Sequence, residues 1–571
     1  MITRDHTAMR RSGLLIVAAF LIVTACGPAQ RETSRSRDAT QSAPRTLTIA
    51  LQQEPAVFVW DLAQTNVKSG GAHLTFNILH NYLVVEDGDR KFRPQIAVDK
   101  PSVENGSWRV NTDGSMDLTW RIRPNVKWHD GTPFSTDDLV FSFDVFKDAE
   151  IPNNIARLVA PFESVTAVDA HTLVAHWSRT FVDADQAIGL LPLPRHLLES
   201  AFRSDKANFV HSPRLSTDFV GLGPYRLARW ESGSHMEFVP FDDYFLGRPP
   251  LASVVVRFIP DANTITANVL SGAVDIVPPI GLDIDTTTEV KRRWAGTGNQ
   301  ASPDLRGGFR VLEMQHRADY ARPNSGLGLL PIRQALYHAI DRPVLAEAMS
   351  NGISPVADSW FAPSDPLRPE VEASIPQFPY DANRATALLG QAGWTRAAAD
   401  GVLTHAQTGE RFDIQLTARG ARDTKEQHII ADNWKAMGAS IDLYNIPPAL
   451  QSDREHVSTL SGAWLATLQV EHLTTDRFHS RSITSSATRW TGNNRGGYSN
   501  PRVDSALDRL TAAIPQRERL GLYRELLTEQ MGDLPLMMLY WEGDIMLVVK
   551  GVKNVRGGGN STWNFFEWDR E

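Results

Sequence analysis

The chain has 571 residues, too many for one simple core at roughly 100–200 residues per domain, and its 42% hydrophobic and 22% charged residues exclude a largely disordered or collagen-like chain. With 58 Lys+Arg against 66 Asp+Glu and a formal net charge of −8, it lacks the basic balance of a nucleic-acid binder. Its one cysteine, Cys26, excludes an intramolecular disulfide, a Cys-rich zinc site and an iron–sulfur cluster.

Arg4, Arg10 and Arg11 precede an uncharged apolar run, Leu14 to Val23. That run is too short to span about 30 Å of hydrocarbon and suits the apolar region of a signal peptide. It ends in Val23-Thr24-Ala25-Cys26-Gly27, which resembles the bacterial lipobox. The resemblance implies that residues 1–25 are a lipoprotein signal peptide and that the Cys26 thiol becomes a diacylglyceryl thioether. Cleavage would remove three Arg and one Asp and bring the net charge to −10. No other uncharged apolar stretch reaches ~18 residues, so the rest is expected to be soluble and held at a membrane by lipid alone. Residues 26–44 carry no large apolar side chain after Cys26. They read as a flexible tether with an r.m.s. reach of roughly 20–25 Å.

Leu47–Leu51 reads as the first strand, and a helix is expected around His73–Leu83, where Leu74, Ile78 and Leu79 fall at helical spacing. Short strands then alternate with turns at Asp87-Gly88, Asp113-Gly114 and Asp130-Gly131. Leu118–Ile122 alternates as a strand, and Ser135-Thr136-Asp137-Asp138 looks like the capped start of a helix running to Phe146. Val165–Trp177 reads as a hairpin across Asp169-Ala170-His171. Gly221-Leu222-Gly223-Pro224-Tyr225 opens a strand; the third glycine of a dinucleotide fingerprint is missing and Pro224 blocks a helix start. A strand at Val254–Ile259 and a helix at Asn263–Leu270 follow. Helices are expected at Pro331–Met349, Asp381–Ala392, Lys425–Met437 and Asn500–Ala513, with strands at Phe412–Thr417 and Ser440–Leu443. The mixture is α/β without a regular βαβ alternation.

Thr119–Phe143, TWRIRPNVKWHDGTPFSTDDLVFSF, closely resembles the signature of the family 5 extracellular solute-binding proteins, the peptide receptors of ABC importers. Further landmarks follow in order: Leu193-Pro194-Arg195-His196-Leu197-Leu198, Gly221–Leu227, Tyr244–Pro249, Ser271–Ile276, Pro331–Leu336 with Ala339–Arg342, Ala387–Trp394 and Gly497–Pro501. The resemblance implies a two-lobe, hinge-closing periplasmic-binding-protein fold with an extra subdomain in the first lobe. On this chain the first lobe is expected at 45–83, 199–308 and 541–571, the extra subdomain at 84–198 and the second lobe at 309–540. It implies no catalysis and no cofactor, and a monomer that delivers its ligand to ABC permease subunits from an extracytoplasmic, lipid-anchored position.

Trp120, Trp128, His129 and Asp130 look functional, but their turn and cap chemistry points to a scaffold. Arg333 and Asp341 read as ion-pair partners that hold the fold. The ligand region is expected in Gly462–His479. In the oligopeptide receptors the matching stretch is Trp-x-x-Asp, whose aspartate takes the peptide's α-amine. Here Trp464, expected to stack on the ligand rather than fill the core, is followed by Thr467 instead. A buried ammonium needs a paired charge, so either Glu471 or Asp476 replaces that acid or the ligand has no such amine. The ligand is then a peptide or, alternatively, an oligosaccharide, opine or nickel chelate. His472 and His479 are too far apart on a helix, about 10.5 Å, to share one metal, and are read as solvated. Gly-x-Ser-x-Gly, His-Glu-x-x-His and P-loop runs are absent.

Overall fold

Ten strands of one mixed sheet carry the body. In chain order they are β1 (Thr46–Leu51), β2 (Tyr225–Glu231), β3 (His235–Pro240), β4 (Ser253–Phe258), β5 (Ile276–Val277), β6 (Gln300–Met314), β7 (Asp413–Ala418), β8 (Ser440–Asn445), β9 (Ala463–Gln469) and β10 (Leu536–Val548). Across the sheet they run β8-β7-β9-β6-β10-β5-β1-β4-β3-β2. This computed structural model describes residues 45–62, 75–89, 91–153, 155–156, 159–279, 281–363, 365–396, 400–469, 476–557 and 562–571. The expected signal peptide, Cys26 and the tether lie outside them, as do Glu471 and His472; of Asp476 only the backbone is described. No described helix is long and apolar enough to cross a membrane.

Two strands join the halves of the sheet. β6 has 15 residues and β10 has 13, about 50 and 43 Å at ~3.3 Å per residue. They pair antiparallel from Gln300↔Val548 to Glu313↔Leu536, with a register shift between Leu305 and Phe309. Side chains alternate across β10, as the pleat requires. Ile545 and Leu547 bury against Ala50, Ile265, Val290 and Trp294, whereas Met546 and Val548 join Leu47, Ile276 and Trp568. Beyond the shift the same strand has other neighbours. Met537 and Leu539 pack with Leu336, Ile430 and Trp434, and Met538 and Trp541 with Trp360, Val503 and Leu526. The buried cores therefore change hands between Trp541 and Ile545, level with the irregularity in β6. Each large side chain so buried contributes roughly 1.5–3 kcal/mol.

A four-stranded sheet, ordered Trp108–Val110, Met116–Arg121, Thr172–Trp177, Phe162–Asp169, sits beside the helix Thr136–Lys147. Trp108, Met116, Trp120 and Trp177 share one core with Leu47 and Phe238 of the main sheet. The signature segment does act as scaffold. Trp120 and Trp128 are fully buried. Asp138 accepts from the Ser135 N–H at 3.1 Å, the Arg195 N–H at 3.0 Å and the Trp128 indole at 3.3 Å. His129 accepts from the Gly221 N–H at 3.2 Å, which leaves its other ring nitrogen to donate to the Gly223 carbonyl at 3.0 Å. Gly223 must be glycine because a Cβ would lie 2.3 Å from the Leu79 carbonyl carbon.

Several expectations need correction. The helix expected over His73–Leu83 is one described turn, Phe76–Leu79. That expected over Pro331–Met349 is two helices, Leu330–His338 and Arg342–Ser350. Arg333 and Asp341 hold the fold, but not as a pair. Asp341 caps the second helix through the Val344 N–H at 3.1 Å, while Arg333 donates to the carbonyls of Leu327 and Asp533, each at 2.8 Å. The long helix Gln516–Asp533 had no counterpart in the sequence reading.

Candidate functional site

β7 and β9 are parallel neighbours, with Thr417 opposite Trp464, while β8 pairs with β7 on its other side. The chain thus leaves β7 towards β8 and returns on the opposite flank as β9. In open α/β sheets the crevice at the carboxyl ends of strands at such a switch point is where ligands bind. The helix Ala421–Ala436 starts there, after Gly420 at φ +92°.

Five charged side chains and two hydroxyls converge at this point. β6 sets Arg310 opposite Thr467 of β9 and opposite Tyr540 of β10. The Arg310 Nε–H donates to the Glu426 carboxylate at 3.0 and 3.1 Å, and its two terminal nitrogens donate to Asp423 at 2.6 Å and to the Thr467 hydroxyl at 3.0 Å. The Tyr540 hydroxyl also donates to Glu426. Burial alone would lower the Arg310 pKa, but Glu426 and Asp423 reverse this and hold it above the ordinary arginine range. Glu426 is fully buried and Arg310 is 4% exposed.

The outer half of the cluster faces water. Thr467 is exposed and donates its hydroxyl to Glu542 at 3.0 Å. Arg422 pairs with the same Glu542 oxygen at 2.8 Å. A Cβ on Gly308 would lie 3.1 Å from the second Glu542 oxygen and 3.1 Å from the Gln469 amide, so the absence of a side chain at Gly308 lets both groups sit close against β6. Glu542 has 23% of its side chain exposed and puts a carboxylate beside Thr467. The sequence reading did not connect the two because 75 residues separate them and only strand register joins them.

The remaining expected site residues lie elsewhere or beyond description. Trp464 is 2% exposed and packs against Ile446, Val457 and Leu460, so in this conformation it offers no free face. Asp476 opens a one-turn helix, Asp476–Phe478. His479 is not solvated: it is 7% exposed and lies 3.4 Å from Asp504 and 3.4 Å from Asp508. Among the described residues no group of three or more His, Cys, Asp or Glu side chains is placed to hold a metal.

Residues 101–482 match the model of the bacterial extracellular solute-binding proteins, family 5 Middle. The oligopeptide-binding protein AppA of Bacillus subtilis is 22% identical over 578 residues, covering 97% of this chain and 96% of that protein. The heme-binding protein A of Haemophilus influenzae is 23% identical over 542 residues, covering 90% and 91%. Among solved structures, NikZ from Campylobacter jejuni in complex with Ni(L-His) superposes with a TM-score of 0.68 at 20% identity, covering 92% of this chain and 99% of that one.

Proposed function

Because the chain belongs to family 5 of the bacterial extracellular solute-binding proteins, we propose that it is the substrate-binding component of an ABC importer and that it captures peptides. In this reading the first lobe comprises 45–83, 199–308 and 541–571, with 84–198 as its extra subdomain, and the second lobe 309–540. The lobes hinge where β6 and β10 lose register. Ligand shifts the open–closed population by its differential affinity for the closed form, and membrane permease subunits read that form. Cys26 carries the lipid that keeps the monomer at the membrane, outside the cytoplasm.

One observation carries the peptide reading: a partly exposed carboxylate, Glu542, stands beside Thr467 at the carboxyl ends of β7 and β9. When the lobes close and water leaves, a peptide ammonium needs such a partner. Glu542 is the first choice, with Glu471 and Asp476 behind it on the segment that follows β9. The peptide main chain is then held by backbone hydrogen bonds and its side chains lie in hydrated pockets.

The test is calorimetric titration of free and N-acetylated peptides against the unmutated chain, Glu542→Gln, Glu471→Gln and Asp476→Asn. Acetylation and loss of the correct acid should each cost about 2–5 kcal/mol. If acetylation is harmless and none of the three variants matters, the amine clamp does not exist. A second reading then leads, a non-peptide solute such as an oligosaccharide, opine or nickel chelate. It is favoured by the hydroxyl of Thr467 standing where the peptide receptors carry an acid.

A further inference from the structure

At the far end of β6 the chain builds a second basic site. Gly496 packs there: its carbonyl accepts from the His316 N–H at 2.8 Å, and a Cβ on it would lie 2.2 Å from the Met314 carbonyl oxygen. Beside it a cavity of about 220 Å³ opens, lined by Arg454, Val457, Ser458, Trp490, Gly492 and Arg495. Met314 is four strand residues from Arg310, roughly 13 Å, so this cavity is separate from the Thr467–Glu542 cluster.

Its charges are unbalanced. Arg454 donates to the Thr491 hydroxyl at 3.2 Å and has no carboxylate partner among the described residues. The half-buried Arg495 side chain makes no hydrogen bond or ion pair among them. The carboxylate that acts on Arg495 electrostatically, Glu313, is buried and already engaged by Arg477. Burial, and then the guanidiniums of Arg419 and Arg477, lower the Arg495 pKa below the ordinary arginine range against the pull of Glu313. Arg317, 6.0 Å from the Trp490 ring centre, gives its donors to Gln315 and to the carbonyls of Thr484 and Arg495 rather than to an acid. A partly desolvated group of guanidiniums with one occupied carboxylate lacks a counter-anion.

The loop that brings Trp490 to the cavity is strained. Arg489 and Trp490 are successive non-glycine residues at φ +50° and +57°, a left-handed pair that L side chains seldom adopt. It is held by the Trp490 N–H donating to the Ser485 carbonyl at 2.7 Å and by Gly492, where a Cβ would lie 2.4 Å from the Ser482 carbonyl oxygen. Such strain persists where the surroundings over-determine it, commonly at ligand clamps. Here it sets an indole beside two guanidiniums.

We propose that this cavity binds a carboxylate carried on a small planar body, with Arg454 and Arg495 taking the carboxylate oxygens and Trp490 packing on the plane. The fork of a guanidinium matches a carboxylate in two-point geometry, and an aromatic face suits a flat partner. The carboxylate belongs either to a free acid or to the transported solute itself. The site does not depend on the solute being a peptide.

The full chain in detergent is titrated with benzoate by calorimetry, and the Trp490 signal is isolated by fluorescence difference against Trp490→Phe. Benzoate should bind and quench that signal, and inorganic phosphate should compete. Arg495→Gln and the more exposed Arg454→Gln should each weaken binding about tenfold to a hundredfold, the loss expected for a charge-assisted contact. Arg495→Lys should recover part of it, and the melting temperatures should stay at the unmutated value. A second arm compares a peptide that binds the chain with its C-terminal amide. Sensitivity to amidation that disappears in Arg495→Gln assigns the carboxylate to the solute, and insensitivity with benzoate still bound assigns it to a free acid. No binding of benzoate, or equal binding in both Gln variants, overturns the proposal.

Discussion

Replacing Arg310 with Met tests the electrostatic logic of the cleft most directly. Arg310 is 4% exposed and its chief partner Glu426 is fully buried. Without the guanidinium, Glu426 keeps only the Tyr540 hydroxyl and Arg422, whose Nε is 4.0 Å away on a half-exposed side chain. An uncompensated buried carboxylate of this kind costs about 3–5 kcal/mol, a large share of the roughly 5–15 kcal/mol that holds a domain. Glu426→Gln is milder, about 1–3 kcal/mol, because Arg310 retains Asp423. Arg310→Met with Glu426→Leu should lie nearer the unmutated protein than Arg310→Met alone, since both charges leave together. Urea unfolding of the three variants measures these differences. A deficit under about 0.5 kcal/mol in Arg310→Met, or a double variant no closer to the unmutated protein than Arg310→Met alone, would refute this account of the pair.

Cys26→Ser should release the protein from membranes, because lipid is the only anchor in the proposed reading; a variant that still pellets in high salt contradicts it. Solution scattering should show a smaller radius of gyration on adding a binding peptide, with a melting temperature raised by mass action, about 2.7 kcal/mol at a hundredfold excess over Kd. Tight binding with an unchanged scattering curve would exclude hinge closure. His80, 1% exposed, accepts from the Leu222 N–H at 3.1 Å and donates to the Pro192 carbonyl at 2.8 Å, and burial pushes its pKa down to about 3. Its neutral form is stable in the fold while the unfolded chain protonates near 6.5, so stability is complete above that value and falls by about 1.4 kcal/mol per pH unit below it. His80→Asn should flatten the acid limb between about pH 6 and 4; an unchanged slope would show that His80 is not its source.

What the sequence announced and what it hid divide along sequence distance. Asp381 and Asn500 stand at helix starts and accept from the N–H groups of Arg384 at 2.8 Å and Arg502 at 2.9 Å. Such caps are completed within three residues, so they are legible locally. The break at Asp341 was also local, an N-cap followed by Arg342-Pro343, but the apolar pattern running through it masked the signal. The helix Gln516–Asp533 buries Leu522, Leu526, Leu527 and Met531, a spacing that was there to be read. The family landmarks supplied topology that periodicity alone did not.

The site hid for a stronger reason. Trp464 and Thr467 are three residues apart on one strand, and in a strand odd separations point to opposite faces. Trp464 lies opposite Glu313 and Thr467 opposite Arg310, so the pair that a linear motif joins is divided by the sheet. One side chain goes to Ile446, Val457 and Leu460; the other meets Arg310 and Glu542. In the proposed function the acid that matters here, Glu542, belongs to β10, on the far side of β6 from the motif's strand. A substitution from acid to threonine on β9 is then compatible with a carboxylate in the cleft, because β6 and β10 bring one back from the other side of the register.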